Sequence, residues 1–174
     1  WVEGKAYNEL EKAQKRFMLP TAQGAPNSSS DSPLLGQTLQ LAKNNPLEWQ
    51  SIHLEANGEK LMIKIVTQTH EEYTLEACHH QWNTVPIDAY PPYSIKAQDR
   101  FKGLSRNFTA ASCYGWEGND RLNVNILFTN WISGVKLTLI SQNGEIVLWA
   151  KENTKKEATK IKIVKKTAQE HRAR

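Results

Sequence analysis

The sequence predicts a mainly β protein, a single antiparallel eight-stranded up-and-down barrel with an N-terminal helix. Segments 121–129 and 134–141 alternate apolar and polar residues, so each would present one apolar face to a core. Asn143-Gly144, between two such segments, is a strong hairpin signal because both residue types tolerate positive φ. Regular short strands joined by tight turns favour a closed barrel, since closure leaves no exposed edge.

The N-terminal part has a different pattern. Apolar residues, among them Leu10 and Phe17, recur at three- and four-residue steps in residues 1–20, which predicts a helix that ends at Pro20. Residues 21–34 contain four Ser and two Pro and have no apolar periodicity, so we interpret them as a linker.

The barrel domain is predicted over residues 35–152. Its eight strands are predicted at 37–42, 49–56, 60–68, 71–78, 103–116, 121–129, 134–141 and 146–150. Asn57-Gly58 predicts a second hairpin turn of the Asn-Gly kind. Residues 79–102 contain three prolines and little periodicity, which predicts a long connection that covers an opening or an edge. Residues 159–165 alternate weakly and would either add a short edge strand or trail away.

Charge is concentrated at the C-terminus. The whole chain has a net charge of +4, but residues 151–174 hold nine Lys or Arg against three Glu. We interpret residues 153–174 as a solvated basic tail. Nucleic-acid binding through this tail ranks last among the hypotheses, because no strand face interleaves basic and aromatic residues. The apolar runs are too short for a membrane-spanning helix.

With the elements in order, several segments resemble a known family. They are Lys5–Ala13, the Leu-Pro-x-Ala-x-Gly segment at 19–24, Leu35–Leu41, Asn45–Ile52, Leu127–Thr129 and Val135–Leu139. Their order is similar to that of the C-terminal accessory β-domain of beta-lactamase and penicillin-binding-protein-like serine hydrolases. The resemblance implies a non-catalytic barrel that packs on or modulates the catalytic domain of the same parent protein. It also implies a bacterial protein with a periplasmic or extracellular location.

The family's catalytic motifs have only accidental counterparts in this chain. Ser133-Gly134-Val135-Lys136 has the Ser-x-x-Lys spacing, but in a strand residues three apart point to opposite faces. Ser105-Arg106-Asn107 formally matches a second family motif, also without the required context. We therefore expect no catalytic site in this chain.

The sequence offers little sign of a metal or cofactor. His79-His80 would point opposite ways in an extended chain and could not chelate an ion together. We expect no metal site and no cofactor. Cys78 and Cys113 lie in predicted strands and could face each other across neighbouring strands, although buried free thiols are the favoured interpretation.

Aromatic residues supply the candidate binding set. They are Trp49, Trp82, Trp116, Phe128 and Trp131. If they lined the mouth of a small barrel, the protein would be a lipocalin-like binder of a small apolar ligand, which is our alternative hypothesis. The competing interpretation is that these side chains fill the core.

Overall fold

The computed structural model describes residues 20–28, 31–92, 107–129 and 133–164, which form strands and turns without a helix. The predicted helix lies outside these residues, apart from Pro20. The strands are β1 (Thr38–Leu41), β2 (Trp49–Asn57), β3 (Lys60–Thr67), β4 (Glu72–His79), β5 (Asn83–Ile87), β6 (Phe108–Glu117), β7 (Arg121–Phe128), β8 (Ser133–Gln142), β9 (Glu145–Glu152), β10 (Thr159–Ile161) and β11 (Ile163–Val164). The mainly β prediction is confirmed, but the count of eight strands is wrong.

The three additional strands are β5, β10 and β11, and the last two nearly close the sheet into a barrel. The order of paired neighbours is β10-β9-β8-β7-β6-β4-β3-β2-β1-β11. β10 pairs with β9, and β11, which follows directly in the chain, pairs with β1. Between them, the Lys162 carbonyl accepts a hydrogen bond of 2.9 Å from the Ala42 N–H. The sheet therefore continues to Val164, beyond the predicted end of the domain at residue 152.

The sheet departs from simple up-and-down order between β4 and β6. These two strands pair in parallel, with Cys78 opposite Cys113 and His79 opposite Tyr114. β5 pairs antiparallel with the first half of β6, from Asn83–Ser112 to Ile87–Phe108. The segment predicted as a connection therefore contains a strand, and this strand occupies the sheet edge of β6 that β4 leaves unpaired.

The two predicted Asn-Gly hairpins differ in geometry. Between β8 and β9, Asn143 and Gly144 are the two central residues and both have positive φ, 51° and 75°. Between β2 and β3, Asn57 pairs with Lys60, so the central residues are Gly58 and Glu59. There only Gly58 has positive φ, 61°, as a glycine-first turn requires. The first prediction is confirmed, and the second is displaced by one residue.

The apolar face of every long strand turns inward. Inward positions alternate along β7 and β8, where Leu122, Val124, Leu137 and Leu139 are buried. They join one continuous hydrophobic cluster with side chains from β1 to β10. The interior of the barrel is thus the core of the protein, and its outer wall is the surface available to other molecules.

Candidate functional site

The five predicted aromatic residues do not form one site. Trp49, Trp116 and Phe128 are 1%, 4% and 1% exposed and belong to the hydrophobic core. Trp131 lies outside the described residues. Trp82, in the turn between β4 and β5, lines a groove on the outer wall. Of the predicted residues that the structure describes, Trp82 is therefore the one placed at a groove open to solvent.

This groove has a volume of about 270 Å³ and lies across β7, β8 and β9. Three cross-strand neighbours form its polar side, because Asn125 pairs with Lys136 and Lys136 with Lys151. Partners in an antiparallel ladder point to the same face, so these three side chains form one row. Both lysines are exposed, whereas Asn125 is only 8% exposed.

Small and apolar residues form the floor of the groove. Leu127 pairs with Gly134, and both line the cavity beside Trp82. A Cβ atom on Gly134 would lie 3.1 Å from Leu127 Cδ1 and 3.3 Å from the Ile126 carbonyl oxygen. A side chain at position 134 would crowd Leu127 and Ile126, so the glycine keeps the floor of the groove open.

One buried carboxylate lies at the end of the groove. The Glu152 side chain is 4% exposed, and its Oε2 is 3.4 Å from Lys155 Nζ. Its Oε1 is buried and has no hydrogen-bond partner in the described part of the chain. Lys155 also lines the groove, but its charge is balanced by this carboxylate. The groove is thus left with the charges of Lys136 and Lys151.

The chain before β1 covers the outer wall next to this groove. Residues 20–28, which we call the strap, cross β6, and Ala25 and Trp116 exchange two backbone hydrogen bonds of 2.7 and 2.8 Å. His79 Nε2 donates to the Gly24 carbonyl at 2.7 Å, and the Tyr114 hydroxyl donates to the Pro26 carbonyl at 3.0 Å. Apart from Pro20, the strap thus falls within the predicted linker, yet it is hydrogen-bonded to the barrel.

The strap also covers one of the two cysteines. Cys78 and Cys113 are direct neighbours in the parallel β4–β6 ladder, and both are free thiols. The Ala22 N–H donates to Cys113 Sγ at 3.3 Å. Burial raises the pKa of the Cys113 thiol, and backbone hydrogen bonds from Ala22 and Asn125 offset part of that rise. Cys113 is thus a shielded thiol of low nucleophilicity.

The histidine pair is arranged differently from the prediction. His80 has a positive φ of 53°, so the backbone leaves the extended conformation and the two rings come within 3.8 Å of each other. The expectation that they point opposite ways is therefore wrong. No group of three or more His, Cys, Asp or Glu that could hold a metal ion occurs within residues 20–28, 31–92, 107–129 and 133–164.

The formal Ser-x-x-Lys match has the geometry expected of a strand. Ser133 is buried, and Lys136 is exposed on the opposite face of β8. The Ser133 hydroxyl has no hydrogen-bond partner in the part of the chain that the structure describes. Lys136 therefore cannot activate Ser133. Ser105-Arg106-Asn107 lies outside the described residues.

No family model, curated protein or solved structure matches this chain. Within the described ranges, no helix is long and apolar enough to cross a membrane.

The row formed by Asn125, Lys136 and Lys151 was missed in the sequence analysis, although the sequence contains a signal for its two lysines. A two-residue turn at Asn143-Gly144 sets Gln142 opposite Glu145, and counting outward along both strands sets Lys136 opposite Lys151. The third member, Asn125, could not be found this way. Its pairing with Lys136 depends on the β7–β8 connection, which has no comparable turn signal.

Proposed function

We propose that this chain is a non-catalytic accessory β-barrel that packs on the catalytic domain of a beta-lactamase-like serine hydrolase. The proposal rests on the resemblance of most of residues 5–150 to the C-terminal domains of that family. The strap is the observation that supports it best. A flexible linker would let this segment move, whereas the hydrogen-bonded strap holds residues 22–25 against the wall of β6.

The filled interior is consistent with this role. The core takes up the inward side chains of β1 to β10, so binding to another molecule must use the outer wall. A lipocalin-like function would require space for a ligand inside the barrel. Trp49, Trp116 and Phe128 are instead packed in the core, so they do not support that alternative.

The first test is the reading frame upstream of Trp1. The proposal expects it to encode a domain with Ser-x-x-Lys on a helix, and a frame without such a domain would refute it. If the domain is present, the whole gene product should hydrolyse an ester or β-lactam substrate.

A pair of glycine variants then tests the strap in that gene product. Gly115→Ala places a Cβ 2.2 Å from the Gln23 carbonyl oxygen and should displace the strap. Gly144→Ala is the control, because nothing lies within 4 Å of its Cβ. We expect faster protease cleavage within residues 20–34 and altered hydrolysis in Gly115→Ala alone. Equal behaviour of the two variants would contradict a fixed arrangement.

A further inference from the structure

The Lys136–Lys151 pair is unusual on this barrel. Like charges directly opposite each other in a sheet are destabilising. On β3, by contrast, the outward lysines have acidic neighbours on β4, with Lys60 Nζ 3.3 Å from Glu76 and Lys64 Nζ 3.5 Å from Glu72. Neither Lys136 nor Lys151 forms an ion pair with the described part of the chain. The sheet therefore places two uncompensated positive charges side by side.

The groove also offers an unused hydrogen-bonding group next to these charges. Asn125 is 8% exposed and lines the cavity. Its backbone contributes a hydrogen bond to Cys113. Its side-chain amide forms no hydrogen bond with the described residues. The amide opens into the groove, where it can donate a hydrogen bond to a bound group.

An apolar surface completes the site. Trp82 lines the same groove as Leu127 and Gly134, so a flat or short apolar group could lie on the floor while its charged end reached the lysines. The volume of about 270 Å³ is close to the lower end of the range for small-molecule pockets. It suits one or two fused rings, or a short chain, rather than a folded partner.

We propose that the groove of β7, β8 and β9 binds a small organic anion. The anionic group, a carboxylate, sulfonate or phosphate, lies between Lys136 and Lys151 and accepts a hydrogen bond from the Asn125 amide. Its apolar body lies against Trp82 and Leu127. Lys155 takes no part, because Glu152 already neutralises it. This site is independent of the accessory-domain proposal and stands or falls separately.

Two fluorescent probes test the proposal on the whole chain. Anilinonaphthalene sulfonate is an aromatic anion, and phenylnaphthylamine is its neutral counterpart. We expect saturable binding of the anion at one site per chain. The double variant Lys136→Gln/Lys151→Gln should weaken it about tenfold, as expected for loss of charge-assisted contacts. The neutral probe should bind more weakly and not respond to this variant.

A matched double variant separates the site from general charge effects. Lys60→Gln/Lys64→Gln removes the same charge from another part of the outer wall and should leave anion binding unchanged. Trp82→Leu should weaken both probes. Equal loss in the two double variants, absence of saturable binding, or full binding after Trp82→Leu would each overturn the proposal.

Discussion

The docking of the strap onto β6 yields a sharp prediction, because it depends on two glycines that face each other. A Cβ atom on Gly115 would lie 2.2 Å from the Gln23 carbonyl oxygen and 2.5 Å from its carbon. These are backbone atoms, so rotation of a side chain cannot relieve the clash. Gly115→Ala must therefore destabilise the docked strap relative to the open one.

The cost can be estimated from the contacts that would be lost. Displacing the strap at Gly115 breaks the contacts donated by rigid backbone groups, which are the two Ala25–Trp116 hydrogen bonds and the contact from Ala22 N–H to Cys113 Sγ. The hydrogen bonds from the His79 and Tyr114 side chains to Gly24 and Pro26 can be kept by side-chain rotation. At roughly 0.5–1.5 kcal/mol net for each hydrogen bond, we expect the free energy of unfolding to fall by about 2 kcal/mol. A change of that size raises the population of the open strap by about 30-fold.

The assay uses Cys113 as a reporter. In a Cys78→Ser background, Cys113 is covered by the strap, and burial raises its pKa, so a thiol reagent should modify it slowly. Gly115→Ala should accelerate this modification by about 30-fold. Gly144→Ala, whose φ of 75° makes it strained without any clash, should not. Slow modification of Cys113 in both variants, together with unchanged urea denaturation of Gly115→Ala, would refute the docking argument.

Two further predictions concern the stability of the barrel. Ile161 is buried in the segment that closes the sheet, so Ile161→Ala should lower the free energy of unfolding by about 2–4 kcal/mol. Val164 is 50% exposed, so Val164→Ala should change it by less than about 0.5 kcal/mol. Equal urea midpoints for the two variants would contradict closure by this segment. The pKa of Tyr73 lies far above its usual value, chiefly because the side chain is buried and also because of the nearby charge of Glu71. A side-chain hydrogen bond with Trp49 offsets part of this rise. Since the unfolded chain releases this proton near its usual pKa and the folded chain retains it, stability should fall as pH rises above about 10. Tyr73→Phe, measured by denaturation across alkaline pH, should flatten that fall; an unchanged slope would show that Tyr73 does not cause it.

Local patterns in the sequence predicted most of the strands. Alternation and the Asn143-Gly144 turn were sufficient for β7, β8 and β9, because one buried face and one tight turn define register there. β5 was missed because Pro86 interrupts its pattern. In the described part of the sheet, β5 pairs with β6 along one edge only. The proline is tolerated because its missing N–H can face the other edge, where it breaks no ladder.

Long-range pairing explains the other differences. The parallel β4–β6 contact and the closure by β10 and β11 join segments far apart in the sequence, where no turn signal applies. The strap was interpreted only as a linker because it binds mainly through its backbone, against Gly115, and leaves no apolar periodicity. The Trp82 groove was not predicted, because Trp82 was assigned to the mouth of the barrel and not to its outer wall. The aromatic residue was named, but its lysine and asparagine partners come from strands that the sequence did not connect to it.

The most direct test of the accessory-domain account is association in solution. The account expects a catalytic domain upstream of Trp1. That domain and this chain, produced as separate polypeptides, should then elute together as a 1:1 complex in size-exclusion chromatography with light scattering. Gly144→Ala should behave like the original chain. Separate elution of the two polypeptides at micromolar concentrations would contradict the account.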